Sequence, residues 1–434
     1  MGIFNFLKKS DSKPFSVSLE NTKSGTIEKE PSYMMAVPKD TSTITDMEVI
    51  VERIKDTNDV KVLAKRTGHN PSVVVSYKDV EYDIQLSIED YTLPELFCIN
   101  HQLTEADMQV LKNAKKGVST KLTFGENNMD SFHLQIKVLA AIVPDMAGVI
   151  DISGERILSG KWAALAASSS VPPAPLYLYG IQAVNNNKEF WLHTHGLHRC
   201  GCIELEILKA NNDNYGDLGN LVSTLADIIV SNGEFIKEGE PFYAGSLQDG
   251  FEIVATWLSI ENALPNYPGL KIGGKKDHED SHAENAGAIF LYMNETDYNN
   301  HVFTPASTLA KELSDNPLFM KTSKETERMK ALAVERLSYL KNLLDSPMEK
   351  AILVKIGLEV DEEFKNGDMK EHIWFELKSM TDTTLTGELT QEPYYVKALH
   401  TGSIQTYPYE DLTDWVVYTK KGVITPDSVY LLEN

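Results

Sequence analysis

The stretch Glu189–Ile207, EFWLHTHGLHRCGCIELEI, sets His193, His195 and His198 beside Cys200 and Cys202 in a chain with 11 histidines and 3 cysteines. Side chains alternate faces along a strand, so His193 and His195 share one side with Trp191. Two imidazoles on one face are half of a tetrahedral zinc set. The candidate ligands that would complete it are His198, Cys200 and the carboxylate of Glu206. The Cys200-x-Cys202 gap is one residue shorter than the usual zinc-knuckle spacing, and no second cysteine pair follows. The sequence therefore predicts no obligatory cofactor and leaves zinc as the one metal the residues suggest.

The same residues are similar to the JAMM-type metallopeptidase signature, His-x-His followed after ten residues by Asp. Position 206 is Glu, the Ser expected three residues earlier is Ile203, and Gly196 replaces the usual Pro. Nothing marks which upstream glutamate, Glu155 for example, would act as the base. A metal-dependent hydrolase centred on His193 and His195 is the alternative to a non-catalytic protein. The alternation of IELEI places Glu204 and Glu206 on the solvated side of a half-buried strand. His278 and His282 are four apart, but Gly273, Gly274 and the surrounding charges predict a loop. Gly269 to Lys275 fits the start of a phosphate-binding loop, yet Lys276 stands where Ser or Thr is needed and an acidic run follows.

The elements that position these residues read as an α+β chain. With 434 residues it exceeds one ordinary core, and 41 Lys+Arg against 63 Asp+Glu give a net charge of −22. That charge disfavours nucleic acid and anionic lipid and favours a basic protein or peptide partner. Three cysteines and no secretion signal predict a cytoplasmic location, and no run is long enough to span a membrane. Oligomeric state is not legible. Residues 1–31, with Lys8 and Lys9 after a short apolar start, read as a flexible tail. Residues 32–128 and 129–298 read as two α+β units with mainly antiparallel sheets. Residues 299–352 read as a helical connector, in which Met329, Ala333, Leu337, Leu340 and Leu344 mark one amphipathic helix of about four turns. Residues 353–434 read as a small β-rich, barrel-like domain.

That last segment carries a dense aromatic set, Trp374, Tyr394, Tyr395, Tyr407, Tyr409, Trp415 and Tyr418. Trp374, Tyr394, Tyr407, Tyr409 and Trp415 with Asp414 form the candidate partner-binding surface, acidic and aromatic. The run Glu371-His-Ile-Trp374-Phe-Glu376, with Gly387, Glu392-Pro393, Gly402 and Asp411-Leu-Thr-Asp414-Trp415, resembles the bacterial domain of unknown function 2314. The long N-terminal part, with HTHGL and the following ELE, resembles the domain of unknown function 4026. These resemblances imply a bacterial intracellular protein with no activity or catalytic residues to transfer. The expected function is a non-catalytic, immunity- or regulation-like protein that binds a protein through an acidic surface.

Overall fold

The computed structural model describes residues 24–433 except 67–70, 100, 234, 248–251, 282–284, 310–317, 320–321, 348, 366–369 and 421. The apolar start with Lys8 and Lys9, and His282, lie outside the described residues.

β-branched runs punctuated by turns build the first sheet from Ser32–Pro38 (β1), Val60–Arg66 (β2), Ser72–Tyr77 (β3), Val80–Asp90 (β4), Cys98–Ile99 (β5), Lys116–Leu122 (β6), Met146–Asp151 (β7) and Arg156–Ser159 (β8). Their order is β2-β3-β4-β6-β1-β7-β8-β5, with β1 between antiparallel β6 and β7. The β3–β4 link is two residues, Lys78 and Asp79, both left-handed at φ 49° and 63°, the geometry that matches the twist of paired strands. Because β7 and β8 belong to this sheet, it runs to Ser159. The division expected at residue 128 cuts through it.

The helix Asn128–Ile142 is capped by Asn127, which accepts from Asp130 N at 3.1 Å. It is apolar on nearly every side because it lies between the sheet and the helix Gly160–Ser168. Its five buried polar side chains each find a partner: Asn128 Oδ1 accepts from Lys29 Nζ at 2.7 Å, Ser131 Oγ donates to Asn127 O at 2.8 Å, His133 Nδ1 meets Tyr77 Oη at 3.0 Å, Gln135 donates to the Ser32 and Thr120 carbonyls, and Lys137 Nζ donates to the Ala167 and Ser169 carbonyls at 2.8 Å.

The second sheet comprises Gly180–Asn185 (β9), Phe190–His195 (β10), Glu204–Ala210 (β11), Phe242–Ser246 (β12), Glu252–Ser259 (β13), Ala286–Tyr292 (β14), Thr304–Pro305 (β15) and Leu318–Phe319 (β16). It is ordered β16-β12-β13-β14-β11-β10-β9, with β15 on β14, and is antiparallel apart from β11 against β14. The helix Tyr215–Asn232 ends at Gly233 (φ 76°) and buries Leu218, Leu221, Val222, Leu225 and Ile229 in a core shared with the first sheet. KKDHEDS, expected as a loop, is a short helix, Lys275–Ser281.

Residues 24–31, expected as part of a flexible tail, form a strap instead. Gly25 N donates to Phe235 O at 2.6 Å, Ile27 N to Gly201 O at 2.9 Å and Glu30 N to His198 O at 3.3 Å. A polar stretch without periodicity reads as tail, and these partners are distant in sequence.

The third sheet, Lys350–Glu359 (β17), Lys370–Met380 (β18), Thr384–Leu389 (β19), Ile404–Pro408 (β20), Leu412–Thr419 (β21) and Gly422–Ile424 (β22), is open and antiparallel in the order β20-β19-β18-β17-β21-β22. It does not close into a barrel. The connector helix is two helices, Ser323–Glu335 and Leu337–Asp345, broken at Arg336 (φ −102°, ψ 19°), whose Nη1 donates to Pro426 O. Ala333, Leu340 and Leu343 enter the core of the third sheet, so the connector is part of that domain.

Trp415, a candidate partner contact by sequence, is the centre of that core: it is buried, and its Nε1 donates to Ala333 O at 3.1 Å. Trp415→Ala is expected to cost about 3–5 kcal/mol, measured as a lower urea midpoint for this domain.

Candidate ligand cleft

Strand β10 delivers Trp191, His193 and His195 to one face, and β11 places Glu206 directly opposite His193. Across the other edge His193 faces Gln182, and His195 faces Gly180. Gly180 is small for a reason: a Cβ there would sit 2.4 Å from Gly154 O. The β7–β8 hairpin tip therefore presses against the start of β9, beside His195 at the end of β10, and brings Glu155 with it. Glu155 is left-handed, φ 46°, a costly conformation for a residue with a side chain. Its Oε1 lies 3.5 Å from His195 Nδ1, and its Oε2 accepts from Gln182 Nε2 at 2.9 Å.

These residues line a cleft of about 320 Å³, within the size range of small-molecule sites. Its walls carry Glu30 and Pro31 of the strap, Ser153 and Glu155 of the hairpin tip, His193, His195, Glu204 and Glu206 of the second sheet and His198 of the turn after β10, and among the described residues no Lys or Arg lines it. Glu204 and Glu206, read from the alternation as solvated, are both buried, because the strap and hairpin cover that face.

Glu204 accepts from Thr194 Oγ1 at 2.6 Å, Gly196 N at 2.9 Å, His198 N at 3.1 Å and His198 Nδ1 at 2.8 Å. Burial alone would raise its pKa, but these donors outweigh burial and hold it below the ordinary carboxylate value. Glu206 accepts from Trp191 Nε1 at 2.9 Å and from His278 Nε2 at 3.0 Å. Burial lowers the His278 pKa, and the bond to Glu206 and its charge more than reverse this. His195 shifts down because burial outweighs the pull of Glu155 and Glu204.

Among the described residues no group of three or more His, Cys, Asp or Glu is arranged to hold a metal ion. Cys200 lies in the hydrophobic core, where burial pushes its thiol up to about 12 and raises Cys202 well above the ordinary thiol value, so both favour the protonated thiol over a ligand thiolate. Glu204 accepts four bonds from protein donors, and Glu206 accepts from both Trp191 and His278. Both ring nitrogens of His193 and Nε2 of His195 are shielded from solvent, with His193 packed between Trp191 (4.5 Å between ring centroids) and His195 (4.8 Å). The structure thus brings His193, His195, His198 and Glu206 to one cleft and leaves Cys200 in the hydrophobic core.

A buried ionic cluster holds the hairpin and second sheet together. Arg199, in the turn after β10, donates Nη1 to Asp151 Oδ1 at 2.9 Å and Nη2 to Asp151 Oδ2 at 2.8 Å. Arg156 Nε approaches Asp151 Oδ2 at 3.4 Å, and its Nη1 donates to Leu176 O and Tyr179 O at 2.8 and 2.6 Å. All three side chains are buried.

The sequence reading missed Glu30, Glu204 and His278 and had no basis for choosing Glu155. The one local cue was the Gly154-Glu155 turn, which marks a hairpin but not what its tip meets.

The expected partner surface divides. Trp415 and Tyr407 face inward, Tyr407 against Phe375 at 5.2 Å, and Tyr409 Oη donates to Thr381 O. Trp374 and Asp414 flank Lys355 on adjacent strands, with Lys355 Nζ 5.4 Å over the indole. Tyr394 stands apart on the loop after β19 and is 80 % exposed.

Fold and site together define an α+β protein in which two sheets share a core and enclose an acidic, histidine-lined cleft, with a third sheet appended. Residues 32–173 match the N-terminal and 181–290 the C-terminal model of the protein of unknown function DUF4026. Residues 334–429 match DUF2314, an uncharacterised protein conserved in bacteria. The chain thus belongs to the DUF4026 family, its two matches covering more than half of 434 residues, and carries a DUF2314 domain behind it. Neither the curated proteins nor the solved structures contain a match. Among the described residues no helix is long and apolar enough to cross a membrane.

Proposed function

We propose that this is a non-catalytic binding protein, regulatory or immunity-like, whose cleft takes a cationic group of a basic protein or peptide. One observation carries the reading: the cleft is walled by Glu30, Glu155, Glu204 and Glu206, and among the described residues no Lys or Arg lines it. Glu204 is balanced by His198 and Glu206 by His278. Among the described residues no lysine or arginine pairs with Glu30 or Glu155; the partners of Glu155 are Gln182 and, at 3.5 Å, His195, whose pKa burial holds down, so both carboxylates keep charge for a ligand. The shielded nitrogens of His193 and His195 and the protonated thiols support binding over acid–base or nucleophilic chemistry. The net charge of −22 favours encounter with a basic partner.

The test is binding of a fluorescent peptide of alternating arginine and glycine to the full chain. Glu30→Gln with Glu155→Gln removes both open charges without changing shape. It is expected to weaken binding by about tenfold, an effect that shrinks as salt rises. Equal affinity for wild type and the double variant would overturn the reading.

A further inference from the structure

We infer that a row of aromatic rings on the DUF2314 domain, Phe364, Tyr395 and Tyr394, is a docking surface for a basic peptide segment, separate from the cleft. The rings adjoin in sequence of contact: Phe364 to Tyr395 at 5.3 Å and Tyr395 to Tyr394 at 6.3 Å between centroids. Tyr394 is the most exposed of them.

Exposure of one tyrosine is ordinary; what distinguishes this one is that its loop is built to hold it. Buried Glu371 accepts from Tyr394 N at 2.7 Å through Oε1 and from Tyr395 N at 2.8 Å through Oε2. Asp361 N donates to Tyr395 O at 2.9 Å, and Asp361 Oδ2 accepts from Lys397 N at 3.0 Å. A carboxylate buried in a small sheet is costly unless its partners justify it, and here both its oxygens are spent on orienting two aromatic residues. A loop whose backbone is held this way loses little freedom on binding.

The chemistry of the occupant follows from charge and from a contact already present. The two segments that carry the row, residues 361–365 and 392–397, hold Asp361, Glu362, Glu363 and Glu392 against Lys365 and Lys397, a local net of −2. Lys397 Nζ lies 5.3 Å over the Phe364 ring, so one end of the row already carries a cation on an aromatic face. Tyr394 continues the row and offers the next face. Arginine or lysine side chains are the groups that combine attraction to carboxylates with stacking on such rings.

The arginine–glycine peptide again serves as probe, on the full chain, with fluorescence anisotropy as the readout. Tyr394→Ala touches no core residue and is expected to weaken binding by about tenfold. Tyr418→Ala, also exposed but outside the row, is expected to leave it unchanged. The proposal is overturned if Tyr394→Ala binds like wild type, if a glutamate–glycine peptide binds as well, or if affinity falls only in the Glu30→Gln, Glu155→Gln protein. A loss in that double variant alone would support the cleft and remove the row; a loss in Tyr394→Ala alone would do the reverse.

Discussion

Arg199→Ala is expected to destabilise the DUF4026 part by about 3–5 kcal/mol, the cost of leaving a buried charge without its partner. Asp151 is fully buried and receives two charge-assisted bonds from Arg199; without them only Gly154 N and the 3.4 Å contact to Arg156 remain. Arg199→Lys keeps the charge but not the paired geometry and is expected to fall between wild type and alanine. Urea unfolding followed by circular dichroism measures both, and a loss below about 1 kcal/mol in the alanine variant would contradict the role given to this cluster. Because Arg199 sits on the second sheet and Asp151 on the first, the same variant is expected to loosen the hairpin tip and weaken ligand binding at concentrations where the protein is still folded.

The second large effect is with pH. Burial pushes His101 and His133 down to about 3, helped by Arg156 near the first and Lys137 near the second. His101 Nδ1 accepts from Ser159 N at 3.0 Å, and His133 Nε2 faces Ala166 O at 2.9 Å, so the neutral rings are the ones the fold bonds. In the unfolded chain both titrate near 6.5. Between about pH 6.5 and pH 3 the unfolded state therefore holds up to two more protons, and stability falls as pH falls. Each histidine contributes about 1.4 kcal/mol per pH unit once well below 6.5, or about 2.7 for the pair. Glu204, depressed by its donors, adds a loss in the same direction as pH drops through the acid range. A domain stable by the usual 5–15 kcal/mol is thus expected to unfold cooperatively in mild acid. The slope of stability against pH separates this from general acid damage: His133→Gln should roughly halve it, and an unchanged slope would contradict the assignment.

The fold was legible where one element announces itself locally. Thr104 caps the helix that begins at Glu105, accepting from Asp107 N at 3.0 Å, and Ser159 caps the helix Gly160–Ser168, accepting from Trp162 N at 3.4 Å. The β-branched runs became strands, and His193 and His195 did share a face. What the sequence withheld depends on distant partners. The β7–β8 hairpin joins the first sheet because β7 pairs with β1, more than a hundred residues earlier, and no local pattern says so. The strap 24–31 looks like a tail until Gly201 and Phe235 accept its backbone. IELEI reads as half-solvated because alternation reports one covered face, whereas here the strap and hairpin close the other. Trp415 shows the converse: a tryptophan among acidic residues looks like a contact, yet its alternation with Asp414 turns it into the core.

The central claim, that the acidic cleft is where a basic ligand binds, is tested most directly by a zero-length carbodiimide cross-link. The reagent joins a carboxylate to an amine in contact with it, so a lysine–glycine peptide bound to the full chain marks the glutamates it touches. Cross-links mapped by mass spectrometry to Glu30 or Glu155, lost when excess unlabelled peptide competes, are the predicted result. Specific cross-links at other carboxylates with none at Glu30 or Glu155 would contradict it.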